Sequence, residues 1–347
     1  MSVKNTNKIL ITGGAGFIGA NLANYFAKKG CTIHIFDNLS RRGTKENLKW
    51  LTQKHSSKII PQIYDLRFNQ AKLNELAKAV DRIYHLAGQV AVTASVKNPR
   101  EDFEINALGT FNLLEAIRQS GNNPILIYSS TNKVYGGMTE IKIIEKNGRY
   151  AYQNVASGIE ENRLLDFHSP YGCSKGAADQ YVRDYARIYG LQAVVFRQSC
   201  IYGPRQFGIE DQGWVAWFTI AALLDKPLVI YGDGKQVRDI LYIDDLIRAF
   251  DLASEKIDQT KGKIYNIGGG SDNTMSLLEL VAFLEKFSNK KIKPKFSDWR
   301  PGDQPIYISN ISKASEEFGW WPKLSPSDGV KKLAEWVKEN QKLFKDF

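Results

Sequence analysis

The sequence predicts an α/β protein: an open, doubly wound parallel sheet joined by a smaller mixed α/β lobe. Three observations carry this. Short apolar, β-branched runs alternate with segments of helical spacing through the first half of the chain, the pattern of right-handed βαβ units. A glycine-rich turn stands between the first such run and the first helix, where a doubly wound sheet places its ligand loop. The length, 347 residues, suits one large domain or two.

The elements follow in order. Lys8–Thr12 reads as the first strand. A helix runs from about Gly16 to Lys29, with Gly30 suited to end it. Thr32–Asp37, Ile59–Tyr64 and Arg82–Ala87 are further strands, with helical spacing at Ala71–Ala79 and Phe103–Arg118 between and after them. Ile125–Ser129, the helix Tyr171–Tyr189 and the strand Ala193–Arg197 complete the alternation. Asn132–Phe167 is polar and long for a loop, which signals function or a small insertion. Beyond Tyr202 the pattern loosens. Trp214–Leu224 reads as a buried apolar helix, Asp239–Ala253 and Ser276–Lys286 as helical or strand-to-helix segments, and Asp328–Lys342 as a last helix. Residues 1–199 are therefore expected to form mainly the nucleotide-binding domain. Residues 200–347 would form mainly the lobe, with about 235–265 returning to the main sheet.

Composition removes several function classes. The hydrophobic fraction of 43% and charged fraction of 24% are those of a soluble globular chain. No apolar run approaches the ~18 residues of a membrane span, and the polar start is not a secretory signal. Cys31, Cys173 and Cys200 are odd in number and widely spaced, so neither a disulfide framework nor a zinc pattern is expected, and a reducing cytoplasm fits. His34, His55, His85 and His168 form no ligand cluster, so no metal site is expected. The net charge of +10 reads first as a solvated basic surface; an anionic ligand or a nucleic-acid surface is also allowed, and the charge does not choose between them.

The turn Thr12-Gly13-Gly14-Ala15-Gly16-Phe17-Ile18-Gly19 chooses a nucleotide. A pyrophosphate must approach bare backbone, and the helix start supplies unpaired N–H groups and a partial positive charge. Asp37, 18 residues after Gly19, can accept hydrogen bonds from ribose hydroxyls and would repel a 2′-phosphate, favouring NAD. Arg41 and Arg42 follow closely and argue the other way, since arginine holds a 2′-phosphate.

Tyr171 and Lys175 are four residues apart and share a helix face. A nearby ammonium favours the phenolate, which can then take a proton from a sugar hydroxyl. Alone, the pair would read first as an ordinary surface pair, because Tyr-x-x-x-Lys is common by chance. Ser129-Ser130-Thr131 ends the fifth strand, at the crevice edge of an open sheet. Thr131 can hold the same hydroxyl there, although serines at strand ends are more often caps.

Taken together, these pieces resemble the extended short-chain dehydrogenase/reductases that modify nucleotide sugars, a Rossmann-type family. The matching residues are Thr12–Gly19, Asp37, Asp65-Leu66, His85–Gly88, Asn106, Ser129–Gly136, Tyr171–Lys175, Tyr202–Pro204, Gly232–Gly234, Arg238-Asp239 and Arg300–Asp303. The resemblance implies cofactor contacts at Gly13, Gly16, Phe17, Ile18, Gly19, Asp37, Asn38, Ser40, Arg41, Leu86, Ala87, Gln89 and Asn106. It puts Asp65 and Leu66 beside the adenine, Ser129 near the nicotinamide, and Tyr171 and Lys175 at both cofactor and substrate. Arg238 and Arg300 would hold the substrate pyrophosphate. A Cys200 where many relatives carry Asn departs from the pattern.

Dehydratases of this family spell Thr-Asp-Glu before Val-Tyr-Gly, the acid and base of water elimination. Here Thr131-Asn132-Lys133 replaces them: Asn132 cannot supply the acid and Lys133 would be charged. Longer runs around Gln89, Asn132-Lys133 and Asp166–Gly176, with Tyr202–Phe207 and Asp211–Val215, are similar to the branch that epimerises CDP-hexoses at C2. That resemblance, not spacing, selects carbon 2. It implies an NAD-dependent isomerase in which Tyr171 takes and returns the C2 hydroxyl proton, Thr131 assists and Lys175 tunes the tyrosine. Gln89, Asn132 and His168 are candidate substrate contacts, with His168 equally a packing residue before its helix. The Trp214, Trp217 and Phe218 stripe is core by default, with one ring able to face ligand. A CDP- or GDP-hexose is the expected partner, with no nucleic acid and no membrane. A homodimer or homotetramer would form through the helices around Phe103–Arg118 and Tyr171–Tyr189. A UDP-sugar 4-epimerase and a non-catalytic dehydrogenase-like nucleotide binder are the alternatives.

Overall fold

The computed structural model describes residues 8–300 and 302–344. The polar start before Lys8 and Pro301 of the Arg300–Asp303 motif lie outside the described residues. Seven strands form the main sheet: β1 (Lys8–Thr12), β2 (Thr32–Phe36), β3 (Ile59–Gln62), β4 (Arg82–His85), β5 (Ile125–Thr131), β6 (Ala193–Gln198) and β7 (Ile264–Ile267). Their order is β7-β6-β5-β4-β1-β2-β3, and every neighbouring pair is parallel. The order reverses between β1 and β4, so the crevice for a ligand opens at the carboxyl ends of those strands. β2, β3 and β4 stop before Asp37, Tyr64 and Ala87, which leaves these residues in loops at that crevice, while β5 extends to Thr131.

The strands are buried Ile, Leu, Val, Phe and Tyr, and helices cover both faces. On one face the helices Phe17–Lys28 and Ile243–Glu255 pack together; on the other lie Gln70–Ala79, Gly109–Gln119 and Ser169–Tyr189. The first helix ends at Lys29, and Gly30 at φ +89° turns the chain so that its N–H reaches Ala27. The predicted single helix Phe103–Arg118 is instead broken. A short helix Pro99–Phe103 leads through a π-helical turn at Glu104–Leu108 into Gly109–Gln119. Periodicity does not reveal such a bulge, which inserts one residue per turn and marks functional positions.

The lobe is built on the strand Val237–Tyr242. It pairs with Cys200–Tyr202 and Ile306–Tyr307 in parallel and with Thr274–Ser276 antiparallel. This strand therefore lies in the smaller sheet, while the helix after it packs on the main sheet and β7 is a strand of that sheet. The apolar helix Trp214–Leu223 is buried between Leu277–Ser288 and Pro326–Glu339. Ser276 and Glu279 form a capping box at the start of Leu277–Ser288. Within the polar stretch 132–167 lies a hairpin, Ile143–Lys146 with Arg149–Tyr152. Its turn, Asn147-Gly148, has φ of +54° and +74°, the two-residue type that pairs with sheet twist.

Candidate active site

The turn after β1 is shaped by close approach. Gly13 has φ +66°, and a Cβ there would lie 2.7 Å from the Ala87 nitrogen. A Cβ on Gly19 would lie 2.4 Å from the Gly13 carbonyl oxygen, so this glycine lets the first helix press onto the turn. Gly16 is the N-cap of that helix and no side chain caps it, which leaves helix N–H groups to face a ligand. Gly13, Gly16, Phe17, Ile18 and Gly19 line a cleft of about 420 Å³ together with Asp37, Asn38, Ser40, Arg41, Asp65, Leu66, Leu86, Ala87 and Gln89. The sequence-predicted cofactor residues thus converge, apart from Asn106, Ser129, Tyr171 and Lys175, which stand outside this cleft.

Asp37 is buried, and its carboxylate accepts from the Ala15 N–H at 3.0 Å and the Leu39 N–H at 2.8 Å. Burial pushes its pKa up against these bonds. Asp65 behaves in the opposite way. Burial alone would raise it, but Arg67, bidentate at 3.0 and 2.9 Å, and Asn38 hold it down at about 2. Arg41 reaches across the cleft to Gln212, a residue that sequence reasoning missed and that lines both this cleft and the next.

The cleft continues, through Phe17, Ile18, Leu86, Gly88 and Val90, into a second space of about 230 Å³. Ser129, Ser130, Thr131, Tyr171 and Lys175 line it, together with Cys200 and Trp214. Trp214, not Trp217, is the ring at this space, and its Nε1 donates to the Cys200 sulfur at 3.4 Å. Tyr171 opens the long helix Ser169–Tyr189. Pro170 pre-sets its first turn, and Ser169 takes a left-handed φ of +71° while its hydroxyl accepts from the Gly172 N–H at 3.3 Å. A non-glycine residue in that conformation is strained, and the strain sits two residues before Tyr171.

The expected tuning of Tyr171 needs correction. Its pKa is raised, not lowered: burial dominates, the hydrogen bond with Thr131 works against it, and the Asp102 carboxylate adds to the rise. Lys175 does not offset this, because its Nζ donates to the Ser129 carbonyl at 2.6 Å and rests 4.3 Å over the Tyr128 ring. Burial pulls Lys175 down to about 7, with Asp179 and Asp102 holding it up. The geometry is a buried phenol held by Thr131 beside a buried amine that titrates near neutrality.

A polar network supports this pair. Asn106 sits in the π-helical turn, and its Oδ1 accepts from the Gln89 N–H at 2.9 Å. Its Nδ2 donates to Ser174 Oγ at 3.0 Å and to Asp102 at 3.2 Å. Asn106 therefore shapes the loop after β4 and the catalytic helix from behind. His85, fully buried, bridges Thr12 at 2.7 Å and Thr110 at 2.9 Å. The Thr110 hydroxyl donates to the Asn106 carbonyl at 2.6 Å, so His85 Nε2 donates to Thr110 and Nδ1 accepts from Thr12. Burial, then the charge of Lys175, drives this histidine down to about 3 and keeps it neutral.

The predicted substrate residues are not all brought together. Gln89 lines the cofactor cleft only, and its amide is tied to Asp102 and the Ala91 backbone. Asn132 is buried behind Thr131 and His168 is exposed against Gly302; neither lines the catalytic space. Arg238 is held by Asp303 at 2.7 Å, and Arg300 by Asp211 at 3.1 Å with its guanidinium 3.9 Å over the Tyr231 ring. Lys133 donates to Gln304 at 3.2 Å; burial, then Arg238, brings it down to about 8, so it is still mostly charged at neutral pH. Among the described residues no group of three His, Cys, Asp or Glu side chains could hold a metal ion. No helix of those residues is long and apolar enough to cross a membrane.

The chain as a whole is similar to known proteins. The chain is 46% identical over 336 residues to the CDP-paratose 2-epimerase of Salmonella typhi, covering 95% of this chain and 99% of that protein. It is 30% identical to a putative UDP-glucose 4-epimerase of Methanocaldococcus jannaschii over 96% of this chain and 99% of the relative. Among solved structures, the UDP-glucuronic acid 4-epimerase of Bacillus cereus, in complex with UDP-glucuronic acid and NAD, superposes with a TM-score of 0.82 at 30% identity, covering 96% of this chain and 99% of that one. Residues 10–333 match the GDP-mannose 4,6 dehydratase family, so the chain belongs to that family, within the extended short-chain dehydrogenase/reductases that its motifs resemble.

Proposed function

We propose that the protein epimerises C2 of a CDP-hexose of the paratose/tyvelose type, using NAD as a bound cofactor. The likeness to the Salmonella 2-epimerase, sustained at 46% identity over 95% of the chain, carries this reading. The Asn132-Lys133 spelling supports it by lacking the acid and base of a dehydratase.

The first cleft fits NAD. Gly13 leaves the hollow that a Cβ would fill, the uncapped helix start at Gly16 suits a pyrophosphate, and Asp37 and Asp65 stand where ribose and adenine would lie. When bound, NAD would supply a positive charge and a reversible hydride acceptor, so that the sugar is oxidised and reduced with no net redox change. Thr131 orients the C2 hydroxyl. Tyr171 takes its proton and later returns it. Lys175 supplies positive charge beside this exchange and holds the backbone at Ser129. Residues 1–199 mainly bind NAD, and 200–347 mainly anchor the nucleotide, so the keto sugar can turn without leaving.

The assembly is a homodimer or homotetramer. Phe103, Leu108, Phe111, Tyr181, Ile188 and Tyr189 are exposed apolar residues on and beside the helices Gly109–Gln119 and Ser169–Tyr189, an apolar patch suited to a second copy. A cytoplasmic location suits the unpaired cysteines.

The test is incubation of the purified protein with a panel of CDP-, GDP- and UDP-hexoses, followed by NMR of the products. Inversion at C2 of a CDP-hexose is expected. Inversion at C4 with C2 untouched would overturn the proposal.

A further inference from the structure

Asp102 lies in the short helix Pro99–Phe103 and is 1% exposed. Its carboxylate accepts from the Ser174 hydroxyl at 2.5 Å, the Gln89 amide at 2.9 Å and the Asn106 amide at 3.2 Å. All three donors are neutral. A carboxylate buried among neutral partners is costly, and an uncharged side chain could fill the same space. The charge itself therefore calls for an explanation.

The catalytic helix provides one. Ser174 stands between Tyr171 and Lys175 in sequence, so the hydrogen bond from Ser174 sets Asp102 beside both functional groups. Around Lys175 the Tyr128 ring and the Ser129 carbonyl favour the ammonium but carry no net charge, His85 is neutral, and burial opposes the charge. Arg41 adds positive charge on the Tyr171 side. Two carboxylates act on Lys175, Asp179 and Asp102. Asp179 is already matched by a bidentate bond with Arg197 at 3.0 Å on each arm, and it also accepts from Ser130 at 2.7 Å. Asp179 is the stronger of the two at Lys175, but its charge is shared with this guanidinium. Asp102, the second, has no cation among its hydrogen-bond partners.

We propose that Asp102 is a positioning residue for the reaction: it fixes Ser174, Asn106 and the Gln89 loop behind the catalytic helix, and its negative charge sustains the ammonium of Lys175. The same charge also disfavours loss of the Tyr171 proton. One carboxylate thus biases both groups in the same direction. This gives the role a signature that a scaffold does not have, because a scaffold alters the height of a pH profile and leaves both its limbs in place.

The experiment is the pH dependence of kcat/KM for wild type and Asp102→Asn, which keeps the side chain's shape and removes its charge. Both limbs are expected to move to lower pH by roughly one unit, with turnover above pH 8 falling roughly tenfold as Lys175 loses its proton. Lower activity with both limbs unmoved would reduce Asp102 to packing and overturn the proposal. This assay rests on the epimerase reading; a second does not. The phenol of Tyr171 is titrated by ultraviolet difference absorbance, with Tyr171→Phe as the blank, and needs no substrate. Its midpoint should fall in Asp102→Asn; an unchanged or higher midpoint overturns the role whatever the sugar proves to be. If Asp102→Asn does not fold, Asp102→Ser decides. It also removes the charge, so both limbs should move to lower pH, and unmoved limbs count against the proposal.

Discussion

Two regions of this molecule suited to binding phosphate are built on opposite principles. At the helix start that follows the turn Thr12–Gly19 the donors are backbone amides that no side chain caps. In the lobe the candidates are arginines, and each already has an aspartate: Asp303 on Arg238 and Asp211 on Arg300. The first region is preorganised, so a dinucleotide meets donors already in place. The second must exchange a carboxylate for a phosphate, which makes binding a competition. The contrast suits an enzyme that keeps its cofactor and releases its sugar nucleotide after each turnover.

The most severe break comes between these regions, at the chemistry they serve. Tyr171→Phe should lower kcat by about 10²–10⁴-fold, the range for losing a positioned acid–base group, while retained NAD is unchanged. NMR product assays and cofactor content read the two halves of that expectation. Full turnover by this variant would remove Tyr171 from the mechanism. The preorganised region is broken next by Gly13→Val. A side chain at φ +66° costs about 1–3 kcal/mol in strain, and its Cβ would press on Ala87. Retained NAD should fall roughly 10–100-fold, measured by absorbance of the denatured extract. Unchanged retention would mean that the turn adapts and is less fixed than its geometry implies.

The same contrast explains what was legible in the sequence. Backbone recognition writes itself into the chain, because Gly13 and Gly19 can be no other residue without a collision. The main strands were equally open to reading, as runs of Ile, Leu, Val and Phe buried from both faces. Side-chain recognition was less so. Motifs identified Arg238 and Arg300, but sequence cannot say that each is held by an aspartate. Asp102 was missed because an acidic residue near a helix start is common and nothing local separates a buried one from a solvated one. The π-helical turn at Glu104–Leu108 was read as ordinary helix, since one inserted residue barely disturbs the apolar spacing. The helix Thr44–Lys54 was also missed; it is mostly polar and buries little apolar surface. The hairpin in 132–167 did carry a signal, Asn147-Gly148 between two β-branched or aromatic runs. The pKa of Tyr171 was misjudged for a different reason: spacing placed Lys175 on the same face but could not show the depth of burial that outweighs it.

His85 makes the rigidity of the cofactor side measurable. It is driven down to about 3, whereas an unfolded histidine titrates near 6.5. Between these values the unfolded chain binds a proton that the folded chain refuses, so stability rises with pH across this window. From this group alone the slope is about 1.4 kcal/mol per pH unit from roughly pH 6 down to 4, and it vanishes above about 7. Urea unfolding of wild type and His85→Gln across pH 4–8 should show the variant less stable at pH 8 and the gap narrowing as pH falls. A gap independent of pH would mean that His85 takes its proton inside the folded protein. The bridge between Thr12 and Thr110 would then be less sealed than it looks.

The smallest expected effect bears most directly on the masked arginines. Asp303→Asn leaves a side chain of the same shape beside Arg238 and removes the charge that competes for its guanidinium. The ion pair is only partly buried, with side chains 10% and 30% exposed, so its strength is limited to about 1 kcal/mol. That bounds the change in substrate binding to roughly fivefold or less. If Asp303 competes with the phosphates, KM for the sugar nucleotide should fall by up to that factor with kcat unchanged, because the freed guanidinium strengthens ground state and transition state alike. It should also steepen the dependence of KM on salt at low ionic strength, whereas removing Arg238 flattens it, since the cation remains and its neutralising charge is gone. A rise in KM would mean the reverse: that Asp303 aims Arg238 by a charge-assisted bond, and that the lobe, like the glycine turn, is preorganised for phosphate by other means.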